Sequence, residues 1–171
     1  MLDATLPVKL ILVAYSMSIF GQDPEAIGKF AASLPVPEFQ KPSLSISKPL
    51  HTAKVAIVTT AALHQDGDGF ELNDSDFHYE TLSRQARNLK LGHHSVNFDR
   101  GGFAADHNVV YPIDRLEELA DIGIIGEVAT HHYSFAGNQS ASVSEIRLDS
   151  GPLCASEMHK EQVDVVLLTG T

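Results

Sequence analysis

The chain has no tryptophan, one cysteine and only 12 lysine and arginine residues against 22 aspartate and glutamate. Each shortage excludes something. A formal net charge of -10 argues against a nucleic-acid partner, because gripping phosphates requires clustered cations. A lone Cys154 permits no internal disulfide framework, which agrees with the reducing cytoplasm expected here. Long apolar runs are scarce as well. The stretch from Val8 to Phe20 is preceded by Asp3 and broken by Lys9, so it lacks the basic flank of a signal peptide. It is also shorter than the ~20 apolar residues of a membrane span, and no membrane association is expected.

What is present suits a folded domain. With 43% hydrophobic and 20% charged residues over 171 positions, the chain can bury a real core. Residues 1–50 read as an N-terminal extension. Asp23-Pro24-Glu25 is a helix start, with Asp as N-cap and Pro in the first turn. Pro35, Pro37, Pro42 and Pro49 then space an extended linker, with a short edge strand through Ser43 to Ser47. Residues 51–171 read as an α/β domain with a mainly parallel sheet, flanking helices and three layers. Its strands are expected at 54–60 and 163–169, two β-branched, apolar runs. Between them, Pro112 to Gly123 places Ile113, Leu116, Leu119 and Ala120 on one helical face, with Gly123 as the stop.

Weaker signals predict a helical turn over Thr81 to Asn88, a strand over Leu91 to Phe98 and a short strand at Ile124 to Val128. A helix within 142–162 is expected to be interrupted by Gly151-Pro152. The unbroken apolar run Val165-Val166-Leu167-Leu168 predicts a strand covered on both faces. In such sheets ligands sit beyond the carboxyl ends of the strands. Thr169-Gly170-Thr171 is therefore where a site is expected to begin, and the domain reads as incomplete at its C-terminus.

Histidine is the chemical excess: nine in the chain. Two adjacent pairs, His93-His94 and His131-His132, stand in Gly-rich, polar surroundings. Three readings stay open. Imidazoles with Asp99 or Asp106 could hold a metal, although no HExxH-like spacing is present and no metal is expected. They could act as acid, base or substrate-orienting groups near neutral pH. Or they could be hydrogen-bonded structural residues in tight loops. His64, His93, His94, His131 and His132 are expected to converge at the C-terminal strand ends.

Other motifs point less far. Gly67 and Gly69 do not form a phosphate loop. The acids Asp66, Asp68, Glu71, Asp74 and Asp76 lack calcium-loop spacing. Cys154 has no basic neighbour in sequence to hold it as thiolate, so it reads as structural. Ser134 and Ser140 have no nucleophile-elbow context.

Four ordered segments together resemble one family. They are Lys54 to His64 (KVAIVTTAALH); His93-His94 with Asp99-Arg100 and then Asp106 to Leu116 (DHNVVYPIDRL); Gly126 with His132 to Gly137 (HYSFAG); and the final VDVVLLTGT. This pattern is similar to the selenoprotein B group of glycine, sarcosine, betaine and D-proline reductases, and to its D-proline members in particular, over residues 28–171.

The resemblance implies a subunit of a selenium- or thiol-dependent reductase that cleaves a C–N bond of an amino acid or amine, with a disulfide/dithiol couple as acceptor. It implies a selenocysteine, or a cysteine in its place, beyond the last strand and missing from these 171 residues. It also implies a partner reductase subunit carrying a pyruvoyl group, and a dithiol or thioredoxin-type reductant. No cofactor is expected within this chain itself. His94, His132 and Asp99 are the catalytic candidates. His64, His93, His131, Tyr133, Ser134, Thr169 and Thr171 are the expected substrate-binding set. The alternative is a catalytically inactive binding or assembly module that lacks the redox residue.

Overall fold

The computed structural model describes residues 24–33, 48–65, 69–70, 76–93, 100–137, 139 and 145–170. In chain order the elements are α1 (Pro24–Ser33), β1 (Lys54–Thr59), β2 (Leu63–His64), β3 (Tyr79–Ser83), β4 (Lys90–Leu91), α2 (Arg100–Ala105), α3 (Ile113–Asp121), β5 (Glu127–Val128), β6 (His131–Phe135), α4 (Gly151–Lys160) and β7 (Val165–Thr169).

The fold is α/β. β1 is the central strand. It pairs in parallel with β5 and then β6 along one side, and with β7 along the other. β3 closes the sheet antiparallel to β6, and β2 with β4 forms a separate two-stranded ribbon. Alternation along the strands sends side chains to two faces. Val55, Ile57, Leu82 and Val128 point toward Ile113 and Leu116 of α3. Val58, Tyr79, Tyr133 and Phe135 point toward Cys154 and Met158 of α4. Two apolar clusters on opposite faces make the sheet the middle of three layers.

Both strands expected at the ends of the domain form, and they are neighbours: Val55 to Thr59 align one for one with Val165 to Thr169. Asp164 fastens their starts. Its carboxylate accepts the Lys54 amide at 3.0 Å and pairs with Lys48 at 2.9 Å, and these bonds hold it below the usual carboxylate range. Helix α3 also forms as expected and stops at Gly123, whose φ of +73° only glycine adopts freely. Its opening turn is capped by Asn108. The Asn108 side chain accepts the Asp114 amide at 3.1 Å and donates to the Asp114 carboxylate at 2.9 Å and the Asp106 carboxylate at 2.8 Å. The polar run Asp106-His107-Asn108 thus serves a helix start.

Three expectations need correction. Residues 79–83 are strand rather than helical turn; Tyr79 and Thr81 face Phe135 and Tyr133 across the ladder while Leu82 is buried on the other face. Gly151-Pro152 does not interrupt its helix. The backbone runs through a wide π turn at Ile146–Ser150, where the Gly151 amide donates to the Ile146 carbonyl. That widening admits a proline, which has no amide to give and would crowd an ordinary turn. Finally, β7 is not covered on both faces. Val166 and Leu167 are partly open and Leu168 is 75% exposed. Its apolar run supports pairing with β1, but among the described residues no helix lies over Leu168. The proposed strand at 43–47 and most of that at 91–98 lie outside the described residues; Lys90–Leu91 is the extended part that is described.

Candidate functional site at the C-terminal edge of the sheet

Because β1, β6 and β7 run parallel, their carboxyl ends share one edge, the place where α/β sheets hold ligands. Thr59 ends β1, Phe135 ends β6 and Thr169 ends β7. The three ends are tied together by hydroxyls. Thr59 donates to the Val110 carbonyl at 3.0 Å, and Thr169 donates to the same oxygen at 2.7 Å. The Thr59 oxygen also accepts the Ala61 amide at 3.2 Å. The Thr60 amide donates to the Thr169 carbonyl at 3.1 Å. Ser134, fully buried, accepts the Leu63 amide at 2.6 Å, so its hydroxyl is committed to holding the chain that leaves β1.

Beyond that edge the backbone is made of small residues packed closely. The Ala62 amide donates to the Phe135 carbonyl, and the Gly92 amide donates to the Ala62 carbonyl, both at 2.9 Å. Gly137 lies against the His93 imidazole and the Thr60 carbonyl. A Cβ there would fall 2.7 Å from His93 Nε2 and 2.7 Å from the Thr60 oxygen, closer than any side chain tolerates. His93 is buried, and the Arg100 guanidinium donates to its backbone carbonyl at 3.0 Å. His64 stands nearby, its ring against Gly69 and Gly92. His64, His93, Thr169 and Ser134 are therefore brought to this end of the sheet. His94, Asp99 and Thr171 lie outside the described residues.

His131 and His132 do not join them, which corrects the expected convergence. They open β6 rather than occupy a loop beyond it. His132 is fully buried in mid-sheet, where its Nδ1 accepts the Ile57 amide at 3.0 Å. Burial pushes its pKa down to about 4, outweighing the nearby Glu161 carboxylate, which pulls the other way; Arg84 and His131 add to the fall. His132 is thus a neutral imidazole at pH 7. Among the described residues its Nε2 and the hydroxyl of fully buried Tyr111 are without hydrogen-bond partners, and the two rings meet edge to face at 5.6 Å.

His131 points the other way, to Glu161 at 3.1 Å. It lines a separate cleft of about 430 Å³ with Thr81, Thr130, Tyr133, Glu157, Lys160 and Glu161. Tyr133 belongs to the α4 face, and burial with nearby Glu157 raises its phenol above the ordinary value. The adjacent residues Tyr133 and Ser134 thus serve opposite faces, as strand geometry requires.

Cys154 lies on the sheet-facing side of α4, in the cluster with Tyr133 and Phe135. Burial, with Glu157 nearby, pushes its thiol up to about 12, so it is a packed residue and not a nucleophile at neutral pH. Among the described residues, no group of three or more His, Cys, Asp and Glu side chains is placed to hold a metal ion, and no helix is long and apolar enough to cross a membrane. Thr59, Thr60, Gly92, Gly137 and the Val110 carbonyl were not singled out from sequence as site residues. The usable signal was position: Thr59-Thr60 directly follow the apolar run of β1, and Gly137 closes the strand that begins with the second histidine pair.

The sequence profile described as "Glycine/sarcosine/betaine reductase selenoprotein B (GRDB)" matches residues 26–171. The D-proline reductase subunit gamma of Acetoanaerobium sticklandii is 29% identical over 126 residues, 72% of this chain and 51% of the relative. The glycine reductase complex component B subunit gamma of Symbiobacterium thermophilum is 28% identical over 83% of this chain and 34% of its own length. The sarcosine reductase complex component B subunit beta of Peptoclostridium acidaminophilum is 28% identical over 84% of this chain and 34% of its own length. The chain thus spans from about a third to a half of these relatives. No solved structure matches it. A match over nearly the whole described domain, in the segments that build β1, α3, β6 and β7, places the chain in the glycine/sarcosine/betaine reductase selenoprotein B family.

Proposed function

We propose that the chain works as part of a multi-subunit reductase that cleaves a C–N bond of a small amino acid or amine, and that the carboxyl edge of β1, β6 and β7 is its reacting face. The observation that carries this reading is the edge itself. Three parallel strands end together, locked by Thr59 and Thr169 on one carbonyl and by Ser134 on the exit from β1, with His93 packed on Gly137 beside them. The names of the relatives, subunits of D-proline, glycine and sarcosine reductases, support the class of reaction.

Reductive cleavage delivers two electrons and two protons to the C–N bond, and a dithiol that becomes a disulfide would balance them. In this reading the attacking selenocysteine or cysteine is supplied by something other than Cys154, whose buried thiol stays protonated. A partner subunit with a pyruvoyl carbonyl would activate the amine. The role left to this chain's own residues is to present a rigid edge. The Thr59 and Thr169 hydroxyls fix where β7 ends, and in this reading His93, buried beside Gly137, would orient a substrate carboxylate or move a proton.

The test is recovery of the affinity-tagged protein from its own cells, with whatever subunits accompany it. The preparation is then assayed with dithiothreitol and, separately, glycine, sarcosine, betaine and D-proline. The reading requires that the assembled complex consume one of the four with matching dithiol oxidation. A complex that contains the chain in full stoichiometry yet consumes none of them would mark the chain as an assembly module.

A further inference from the structure

The ladder between β1 and its β5–β6 neighbour contains an irregularity. Lys54 and Val55 pair with Glu127 and Val128, and Val58 and Thr59 pair with Tyr133 and Ser134. Two residues of β1, Ala56 and Ile57, therefore face four of the opposite strand, 129–132. Such a bulge leaves ladder groups without their usual partners. On one side the loss is repaired by backbone: the Ala129 amide donates to the Val55 carbonyl at 2.9 Å. On the other side the Ile57 amide finds no carbonyl opposite and donates to His132 Nδ1 at 3.0 Å. Ile57 and His132 are both fully buried, so water from outside is no substitute, and an unpaired buried amide would be costly.

The bond fixes the imidazole's tautomer. Nδ1 is the acceptor, so the ring proton sits on Nε2, which then needs an acceptor of its own. Among the described residues none is within hydrogen-bonding geometry, and the Tyr111 hydroxyl, equally buried and packed on the same ring, is also unpaired. Two rings whose centroids lie 5.6 Å apart, each carrying an unpaired buried polar atom of complementary character, are what a buried water can join.

We propose that His132 is a positioning residue whose imidazole stands in for a peptide carbonyl at this bulge, and that one buried water joins its Nε2–H to the Tyr111 hydroxyl. The unit locks β6 in register with β1. A slip there would shift Ser134, Phe135 and Gly137 together, since they follow on the same strand. It also gives the histidine a role in the sheet interior, away from the reacting edge, and this holds whatever reaction that edge performs.

The test begins with the wild-type chain, so that no variant has to fold. Long-range proton–nitrogen NMR of His132 should show an unprotonated Nδ1 and a protonated Nε2, and a crystal structure with ordered solvent should show one water between Nε2 and the Tyr111 oxygen. The opposite tautomer, or direct packing with no water, would overturn the corresponding half of the proposal. Variants then separate the roles. His132→Asn places its carboxamide oxygen near the former Nδ1 and should keep the Ile57 amide protected from hydrogen exchange. His132→Phe should lose that protection by at least tenfold relative to Asn. Tyr111→Phe should lower the melting temperature in the wild type and much less in the His132→Phe background. Equal Ile57 protection in the Asn and Phe variants, or equal melting losses in both backgrounds, would contradict it.

Discussion

Replacing Thr59 by valine keeps the shape of a fully buried side chain and deletes one oxygen. That oxygen does two things at once: it donates to the Val110 carbonyl and accepts the Ala61 amide. Losing the donated bond costs about 1 kcal/mol, and stranding a buried amide adds about 1–3 kcal/mol. The Val110 carbonyl is not stranded, because Thr169 still donates to it at 2.7 Å. The predicted loss for Thr59→Val is therefore about 2–4 kcal/mol. Thr169→Val removes a single donated bond from a half-buried residue whose acceptor keeps Thr59, and should cost about 1 kcal/mol. The double variant leaves the carbonyl with neither hydroxyl, so its loss should exceed the sum of the singles. Urea denaturation measures all three. With a slope of about 2 kcal/mol/M for a domain of this size, Thr59→Val should move the midpoint by about 1–2 M and Thr169→Val by about 0.5 M. Equal midpoints for the two single variants, or strict additivity in the double, would refute the shared-carbonyl clamp.

Other outcomes follow from the same contacts. Gly137→Ala forces a methyl group to 2.7 Å from both His93 Nε2 and the Thr60 carbonyl and should destabilise by about 1–3 kcal/mol; a neutral effect by thermal melting would show that the edge is looser than described. Cys154, with its thiol pushed up to about 12, should resist disulfide reagents at pH 8 in the folded chain and react once urea unfolds it; reaction at the same rate in both states would contradict its burial. For His132 the folded pKa of about 4 lies below the ordinary 6.5, so between those values the unfolded chain binds the extra proton. Stability is full above pH 6.5 and should fall, by on the order of 3 kcal/mol in all, as pH drops toward 4. His132→Asn should flatten that slope above pH 5, before Glu161, whose pKa is lowered, begins to contribute; an unchanged slope would assign the effect elsewhere.

The strand runs and the helix were legible because each is a local pattern. Lys54 to Thr59 and Val165 to Thr169 are β-branched and apolar, and Ile113, Leu116 and Leu119 repeat at helical spacing. Burial was less legible. Val165 to Leu168 looks like an interior strand, yet its exposure depends on which elements lie over it, and that is a tertiary fact. Residues 79–83 misled for a related reason: polar Glu80 and Ser83 mask an alternation that only pairing with β6 reveals. The adjacent histidines 131 and 132 share neighbours in sequence but not in space. One faces Glu161 at the surface, and the other repairs a bulge whose existence depends on the register between distant strands. The family resemblance carried the reading further than composition did, since four ordered motifs point to a family that no single one specifies.

The central claim is that the reacting face lies at the carboxyl edge of β1, β6 and β7 and not at the cleft beside α4. The most direct measurement compares two histidine variants in the complex recovered with the tagged chain, scoring dithiol-dependent consumption of glycine, sarcosine, betaine or D-proline at equal subunit assembly. His93→Gln alters the ring packed on Gly137 at the edge. His131→Gln alters the ring that lines the cleft with Glu161. The account predicts at least a tenfold loss of turnover for His93→Gln and nearly full activity for His131→Gln. Full activity in the first and loss in the second would contradict it.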